Sequence, residues 1–140
     1  MSINYWAVLV ASIAQFVFSA IWYTPIFGKT WGRIHEFDKV SPEKQKEMMR
    51  NMWKPLSTQL IFTFVTTFVF ALLINGFPSD WNIYGLAGFF WLGFILPTQV
   101  SAVIFGGTKP EWVMSKIGIM SGAALGNMLI IAAVFSLMAK

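Results

Sequence analysis

The chain has 140 residues, of which 56% are hydrophobic and only 11% are charged, and its mean hydropathy is +0.64. A soluble domain usually carries about a quarter charged residues, so this composition predicts a membrane protein. No cysteine is present, which excludes disulfides, thiolate catalysis and cysteine-ligated metals. The net charge of +4 comes from basic residues beside apolar segments, a pattern that membrane topology explains, so we expect no nucleic-acid partner.

Four segments are apolar over about 20 residues, the length that a helix needs to cross a bilayer. We predict these spans at residues 3–24, 56–76, 83–105 and 112–138 of a single domain, 1–140. The first segment lacks a basic leader and ends in Trp22-Tyr23 instead of a small-residue cleavage site, so it is expected to be a retained helix. The expected fold class is all-α, a polytopic integral membrane protein with four transmembrane helices.

The basic residues predict the orientation of these spans. Nine of the ten lie in the loop 25–55 or between residues 109 and 116: Lys29, Arg33, Lys39, Lys44, Lys46, Arg50, Lys54, Lys109 and Lys116. The positive-inside rule therefore predicts that this side is cytoplasmic and that both termini face outward. We expect a multi-pass protein of a bacterial cytoplasmic (inner) membrane.

The loop 25–55 contains a further helix signal. Ser41 is a plausible N-cap, Pro42 fits the first helical position, and Met48, Met49 and Met52 recur at helical spacing. These features predict a short amphipathic helix at the cytoplasmic interface. It is either a docking surface for a partner or anionic lipid, or an interfacial anchor with a solvated charged face, which is the simpler interpretation.

Two motifs stand at the cytoplasmic ends of spans 1 and 3. In "WYTPIFGKTW", Trp22 to Trp31, Pro25 is expected to end the helix, and we predict that Trp22, Tyr23, Lys29 and Trp31 are interface anchors. Span 3 carries "WLGFILPTQVSAVIFGG", followed by Trp112. The chain resembles, in these two motifs, a family of small bacterial and fungal membrane proteins known as domain of unknown function 1761. The resemblance implies a four-helix integral membrane protein and no particular activity.

Neutral polar residues lie within the spans, whereas no ionisable group is predicted near the middle of any of them, which disfavours proton-coupled transport. The candidates for a polar track are Gln15, Ser19, Gln59, Thr63, Thr98, Gln99 and Asn127. Amides facing lipid are costly, so these side chains should face other helices or a hydrated cavity. They form either a track open toward the cytoplasm or interhelical hydrogen bonds, worth about 0.6 kcal/mol each, that fix helix register.

Pro97 lies in the middle of this pattern, in "LPTQV". It should free the carbonyl of Gly93 and kink span 3, so that Thr98 and Gln99 point inward. The kink is interpreted either as a packing bend or as a hydrated break of the kind that lines transporter sites.

Span 4 repeats small residues at Gly118, Gly122 and Gly126, the pattern of a close helix-packing face. This face packs against another helix either within the chain or between chains. We expect a homo-oligomer in which this face forms the interface between copies.

No catalytic, cofactor or metal site is indicated. His35 is the only histidine and is expected to be an exposed loop residue, and no metal-ligand spacing, phosphate loop or nucleophile–base set occurs. We therefore expect no cofactor and no enzymatic activity, and a membrane enzyme is kept only as a minor third alternative because the acid–base candidates lie in the loop 25–55. The first functional hypothesis is passive permeation or facilitated transport of a small neutral or weakly charged solute through the polar track. The alternative is a non-catalytic accessory or scaffold protein that binds lipid or other membrane proteins.

Overall fold

Helices account for every regular element in the part of the chain that the structure, a computed structural model, describes, which is residues 3–78 and 80–138. The α-helices are, in chain order, α1 (Tyr5–Ile21), α2 (Gly28–Ile34), α3 (Pro42–Arg50), α4 (Trp53–Gly76), α5 (Ile83–Phe90), α6 (Leu96–Phe105) and α7 (Val113–Met138). One π-helical turn, Trp22–Ile26, follows α1, and another, Trp91–Ile95, joins α5 to α6. Short 3₁₀ turns occur at Phe37–Lys39 and Pro110–Trp112.

Four helical runs are long and apolar enough to cross a membrane. They are Tyr5–Ile26, Pro42–Gly76, Ile83–Phe105 and Pro110–Met138. The all-α class and the four long apolar helices that the sequence predicts are therefore present. Below, the basic end denotes the end of the bundle formed by residues 28–54 and 106–116, and the opposite end denotes the one that contains Asn4, the α4–α5 loop and Met138.

Polar side chains cap the helices where the sequence supplies them. Asn4 caps α1 by accepting from the Ala7 amide at 3.0 Å, and its side-chain amide donates to the Met138 carbonyl at 3.1 Å. Ser41 caps α3 by accepting from the Lys44 amide, and Pro42 takes the first turn, as the sequence predicts. The first cap joins the start of α1 to the end of α7.

Helix α7 is the element on which most of the bundle packs. It contacts α1, α5 and α6, and α1 also packs against α4. Small residues such as Ala7, Ala11 and Ala132 are fully buried, so the helix backbones approach closely. Larger residues fill the remaining core: Val8, Phe70, Leu86, Met128, Ile131 and Phe135. Helix α4 is the least enclosed of the four, because its main partner is α1.

Two of the six prolines, Pro25 and Pro97, lie at the π-helical turns. Pro25 does not end the first long helix as predicted: the helical path continues through it to Ile26 in the first π-helical turn. Pro97 lies in the first turn of α6, immediately after the second π-helical turn, which contains Gly93. A proline ring crowds the carbonyl four residues earlier, and a wider turn accommodates that crowding without breaking the helix.

Candidate functional site

Four polar side chains form a hydrogen-bonded series between α1 and α4, here called the polar ladder: Gln15, Thr67, Thr63 and Gln59. The Gln15 amide donates to the Thr67 hydroxyl at 2.8 Å and to the Ala11 carbonyl at 3.1 Å. Thr67 donates to the Thr63 carbonyl at 2.8 Å, and Thr63 donates to the Gln59 carbonyl at 2.8 Å. Gln15 and Thr67 are buried, whereas Gln59 is exposed. The ladder joins α1 to α4 at one level and otherwise runs along α4.

A second polar contact joins α1 to α7. Ser19 and Asn127 exchange hydrogen bonds, with the Asn127 Nδ2 donating to the Ser19 Oγ at 3.0 Å and the Ser19 hydroxyl 3.3 Å from the Asn127 Oδ1. Both residues are half-buried. The pair connects the first and the last of the four long helices, which lie side by side in the bundle.

The two polar residues after Pro97 point in different directions. Thr98 is exposed, and its hydroxyl donates to the Phe94 carbonyl at 2.6 Å, so the structure does not turn it inward as predicted. Gln99 lies on the helix face of Ile95, which packs against the core, and of Val103, which is 2% exposed. Its Oε1 is buried and has no hydrogen-bond partner among the described residues. The structure therefore places Gln15, Gln59 and Gln99 in three different environments.

Aromatic rings from α1 and from the π-helical turn that follows it pack against two of the three glycines Gly118, Gly122 and Gly126 of α7. A Cβ atom at Gly126 would lie 2.5 Å from the Phe18 ring, and one at Gly122 would lie 2.9 Å from the Trp22 ring. A Cβ atom at Gly118 would meet nothing within 4 Å. Gly122 and Gly126 thus pack within the chain, and the surface at Gly118 is open.

Two tryptophans bind the backbone of α7. The Trp22 indole N–H donates to the Ile119 carbonyl at 3.0 Å, and the Trp91 indole N–H donates to the Ser121 carbonyl at 2.8 Å. Each tryptophan is the first residue of a π-helical turn. The sequence predicts an interface position for Trp22 and indicates no role for Trp91. The position of Trp91 well inside an apolar span was the available signal, because a buried indole N–H needs a partner.

The remaining predicted interface anchors lie around α2. Tyr23 packs edge-on against Trp31 with ring centroids 4.8 Å apart, and Trp31 contacts the His35 ring at 4.4 Å. Lys29 is exposed. His35 is also exposed, as predicted, and one ring nitrogen lies 3.0 Å from the Trp31 carbonyl.

An apolar cleft opens between α4 and the α5–α6 run. Its volume is about 270 Å³, and its lining consists of Val65, Thr66, Val69, Phe70, Leu73, Phe90, Phe94, Ile95 and Met128. Toward the opposite end it is bounded by Phe70 and Phe77, whose rings both meet the Phe90 ring edge-on at 6.2 Å. Thr66 supplies the only side-chain hydroxyl in this lining. The lining is therefore suited to an apolar group.

An ion-pair cluster joins the two loops of the basic end. The Glu36 carboxylate pairs with the Lys39 ammonium at 3.0 Å and with the Lys109 ammonium. Hydrogen bonds from Lys109 and then Lys39 lower the pKa of Glu36 to about 2, and the same carboxylate raises the pKa of Lys109. All three groups are exposed, so the cluster orients the loops more than it stabilises them.

Comparison with known proteins places the chain in a family. The family model described as "Protein of unknown function (DUF1761)" matches residues 6–137, nearly the whole chain, so the protein belongs to that family. Comparison with curated proteins and comparison with solved structures each give no match.

Proposed function

We propose that this member of the DUF1761 family is a non-catalytic accessory protein of a membrane, and that it binds the acyl chain of a lipid in the apolar cleft. The single observation that carries the proposal is the cleft itself, which lies between two helices that are long and apolar enough to cross a bilayer. A groove of this kind in a membrane is filled either by lipid or by a partner helix. Lipid is the occupant that surrounds the protein at the highest concentration.

The packing of α4 favours this proposal. Thr63, Thr67, Phe70 and Ala71 are its buried residues and form one stripe. Helix α4 packs mainly against α1, and Phe70, at the edge of the stripe, also meets the Phe90 ring at the cleft. Val65 and Val69, on another face, are 49% and 47% exposed and line the cleft. Because α4 is held mainly along one stripe, its cleft-facing side is available to a ligand.

The polar contacts are consistent with a binding role. The ladder and the Ser19–Asn127 pair hydrogen-bond within the chain, an arrangement that fixes helix register in membrane bundles. Their side chains hold α1 against α4 and α7 and do not enter the lining of the apolar cleft.

A cleft-filling substitution tests the proposal. Val69→Phe should displace a lipid that the wild-type protein retains through detergent extraction, as read by native mass spectrometry. The matched control is Ile61→Phe on the same helix, because Ile61 is 62% exposed and lies outside the cleft lining. Equal lipid retention in both variants would contradict the proposal. A crosslinker placed at position 69 could instead capture a defined protein in native membranes. That result would favour a scaffold role, in which a partner helix and not a lipid occupies the cleft.

The topology belongs to the same proposal. We place the protein in a cytoplasmic (inner) membrane with the basic end inside and both termini outside, because nine of the ten lysines and arginines lie at the basic end. The chain has no cysteine, so an introduced cysteine is the only site in the protein that a maleimide can label. A membrane-impermeant maleimide should label Asp80→Cys on intact cells and should leave Asn51→Cys unlabelled, and the reverse pattern would invert the topology.

A second candidate is passage of a small neutral solute, and Gln99 favours it. Its buried Oε1 has no partner, and a polar solute could supply the missing donor. Vesicles containing the protein should then pass a small uncharged solute such as glycerol faster than empty vesicles. Gln99→Leu should abolish the difference, and Gln59→Leu, at an exposed position, should keep it. Flux equal to that of empty vesicles would remove this candidate.

A homo-oligomer is also part of the proposal. The rings of Trp22 and Phe18 cover Gly122 and Gly126 in the same chain. A second copy would therefore meet the open surface at Gly118 or the exposed face of α4. Reduced crosslinking between copies on changing Gly118→Leu would identify the first of these seams.

A further inference from the structure

A second, polar cavity lies at the basic end, away from the apolar cleft. It has a volume of about 250 Å³ and lies between the end of α2, the loop from α6 to α7 and the early part of α7. His35 and Glu36 line one side, and Thr108, Lys109 and Lys116 line the other. Lys116 and the cleft residue Met128 are about 18 Å apart along α7, so the two spaces are separate. A water takes about 30 Å³ in the liquid, which leaves room here for a tetrahedral anion and several waters.

Thr108 gives the first indication of what this cavity binds. Its hydroxyl oxygen is buried and has no hydrogen-bond partner among the described residues. An unpaired buried hydroxyl is destabilising, and a ligand oxygen that accepts its proton removes this penalty. The cavity that Thr108 lines is therefore suited to a ligand with acceptor oxygens.

The backbone before Thr108 is a glycine turn that ends α6 at its C-cap, Gly106, and the amides of Gly107 and Thr108 donate to no backbone carbonyl among the described residues. Gly106 adopts φ −86° and ψ 16°, and Gly107 follows with φ +72°. A right-handed residue followed by a left-handed one turns consecutive N–H groups toward one side, the concave arrangement that holds phosphate in many proteins. A Cβ atom at Gly106 would lie 2.3 Å from the Ala102 carbonyl oxygen, and the positive φ of Gly107 disfavours any side chain, so both positions require glycine.

The charges at the cavity are also suited to an anion. Glu36 is already shared between Lys39 and Lys109, and Glu111 acts on Lys109 as well. The ammonium groups around this cavity, those of Lys39, Lys109 and Lys116, thus outnumber the carboxylates of Glu36 and Glu111. Lys116 forms no ion pair among the described residues. The ammonium of Lys116 remains available to a ligand.

From the cavity, the unpaired hydroxyl, the glycine turn and Lys116 together, we propose that the basic end binds a phosphate group through Thr108, the backbone of Gly106–Thr108 and Lys116. The phosphate belongs either to a phospholipid headgroup or to free phosphate, and both have the same oxygens and charge. This site does not depend on what occupies the apolar cleft.

The test measures binding to the purified full chain in a neutral detergent, where no charged membrane surface contributes. The two probes are short-chain phosphatidic acid and inorganic phosphate, with short-chain phosphatidylcholine for comparison. Wild-type protein should bind phosphatidic acid, and Thr108→Val should weaken binding about tenfold because a hydrogen bond to a charged group is lost. Lys116→Gln should weaken it about fivefold.

Two variants separate the site from general effects. Thr108→Ser keeps the hydroxyl and should restore binding to within about twofold of wild type. Lys46→Gln removes an exposed charge of α3 at the same end and should change affinity less than about twofold. Binding of inorganic phosphate with the same variant pattern would identify free phosphate as a ligand, and binding of phosphatidic acid alone would identify the headgroup. Unchanged affinity in Thr108→Val, or equal losses in Lys46→Gln and Lys116→Gln, would overturn the proposal.

Discussion

Trp22 and Trp91 lie in different π-helical turns but donate their indole N–H groups to α7 at carbonyls only two residues apart, Ile119 and Ser121. Two residues correspond to about 200° around a helix, so the two indoles approach α7 from nearly opposite sides. The backbone of α7 at this level is therefore held between the first and the third of the long helices.

We expect the loss of either indole N–H to destabilise the bundle. Trp22→Phe and Trp91→Phe each remove one hydrogen bond to a carbonyl of α7 and should lower the free energy of unfolding by about 1 kcal/mol. Unfolding in mixed detergent–dodecyl sulfate micelles measures this quantity. The control is Trp6→Phe, because Trp6 is 71% exposed. A Trp6→Phe variant as unstable as the other two would show that these hydrogen bonds contribute nothing specific.

The glycines of α7 should respond unequally to alanine. Gly118→Ala adds its methyl group to open space and gains up to about 1 kcal/mol of helix propensity. Gly126→Ala places its methyl group against the Phe18 ring, where overpacking costs about 1–3 kcal/mol. We expect Gly126→Ala to be the less stable variant in the same unfolding assay. Phe18→Leu should recover part of the loss in the Gly126→Ala background, and no recovery would place the strain elsewhere.

The Ser19–Asn127 contact should appear as a coupling energy between α1 and α7. A double-mutant cycle with Ser19→Ala and Asn127→Ala is expected to give about 0.6 kcal/mol, the average for hydrogen bonds between membrane helices, and at most about 1.7 kcal/mol. A parallel cycle with Ser19→Ala and Ser121→Ala should give a value near zero, because the Ser121 hydroxyl donates within its own helix to Ile117. Equal coupling in the two cycles would indicate a general change of packing.

The ion pairs at the basic end should survive mild acid. Because the pKa of Glu36 is lowered to about 2, its pairing with Lys109 and Lys39 is complete above the ordinary value of 4.5 and is lost as the pH falls toward 2. Carbon-13 NMR of the Glu36 carboxyl follows this titration. Lys109→Gln should raise the pKa of Glu36 more than Lys39→Gln, since the bond from Lys109 is the larger cause. The opposite order would assign the main contact to Lys39.

The sequence predicts the long helices and the start of α3 because those features are local. A run of apolar residues fixes the position of a span, and Ser41-Pro42 fixes a helix N-terminus within one turn. The directions of the Thr98 and Gln99 side chains are harder to predict. Successive side chains of an α-helix point about 100° apart, and the π-helical turn Trp91–Ile95 changes the direction of every side chain that follows it. The local sequence contains no signal for such a turn. The sequence therefore predicts that Thr98 and Gln99 both point inward, whereas in the structure only Gln99 does.

Partner choice is the other feature that the sequence leaves open. The sequence predicts that Gln15, Gln59 and Gln99 belong to one polar track or to interhelical hydrogen bonds, yet only Gln15 bonds to another helix, at Thr67, and Gln59 lies exposed beside Thr63. The repeated glycines of α7 likewise predict that another helix packs closely against them. They do not predict that the rings of Phe18 and Trp22 make this contact. These contacts depend on which helices become neighbours, and that is decided by the packing of the whole bundle.

The central position of α7 has a consequence for the order of synthesis. This helix follows all of its packing partners in the chain, and the Trp22–Ile119 hydrogen bond joins residues 97 positions apart. At about 5–20 residues per second, the ribosome needs about 5–20 s after making Trp22 to supply its acceptor. During that time the indole N–H of Trp22 and the hydroxyl of Ser19 lack their final partners on α7. The nascent protein thus depends longest on its surroundings at the side chains that later hold the finished bundle together.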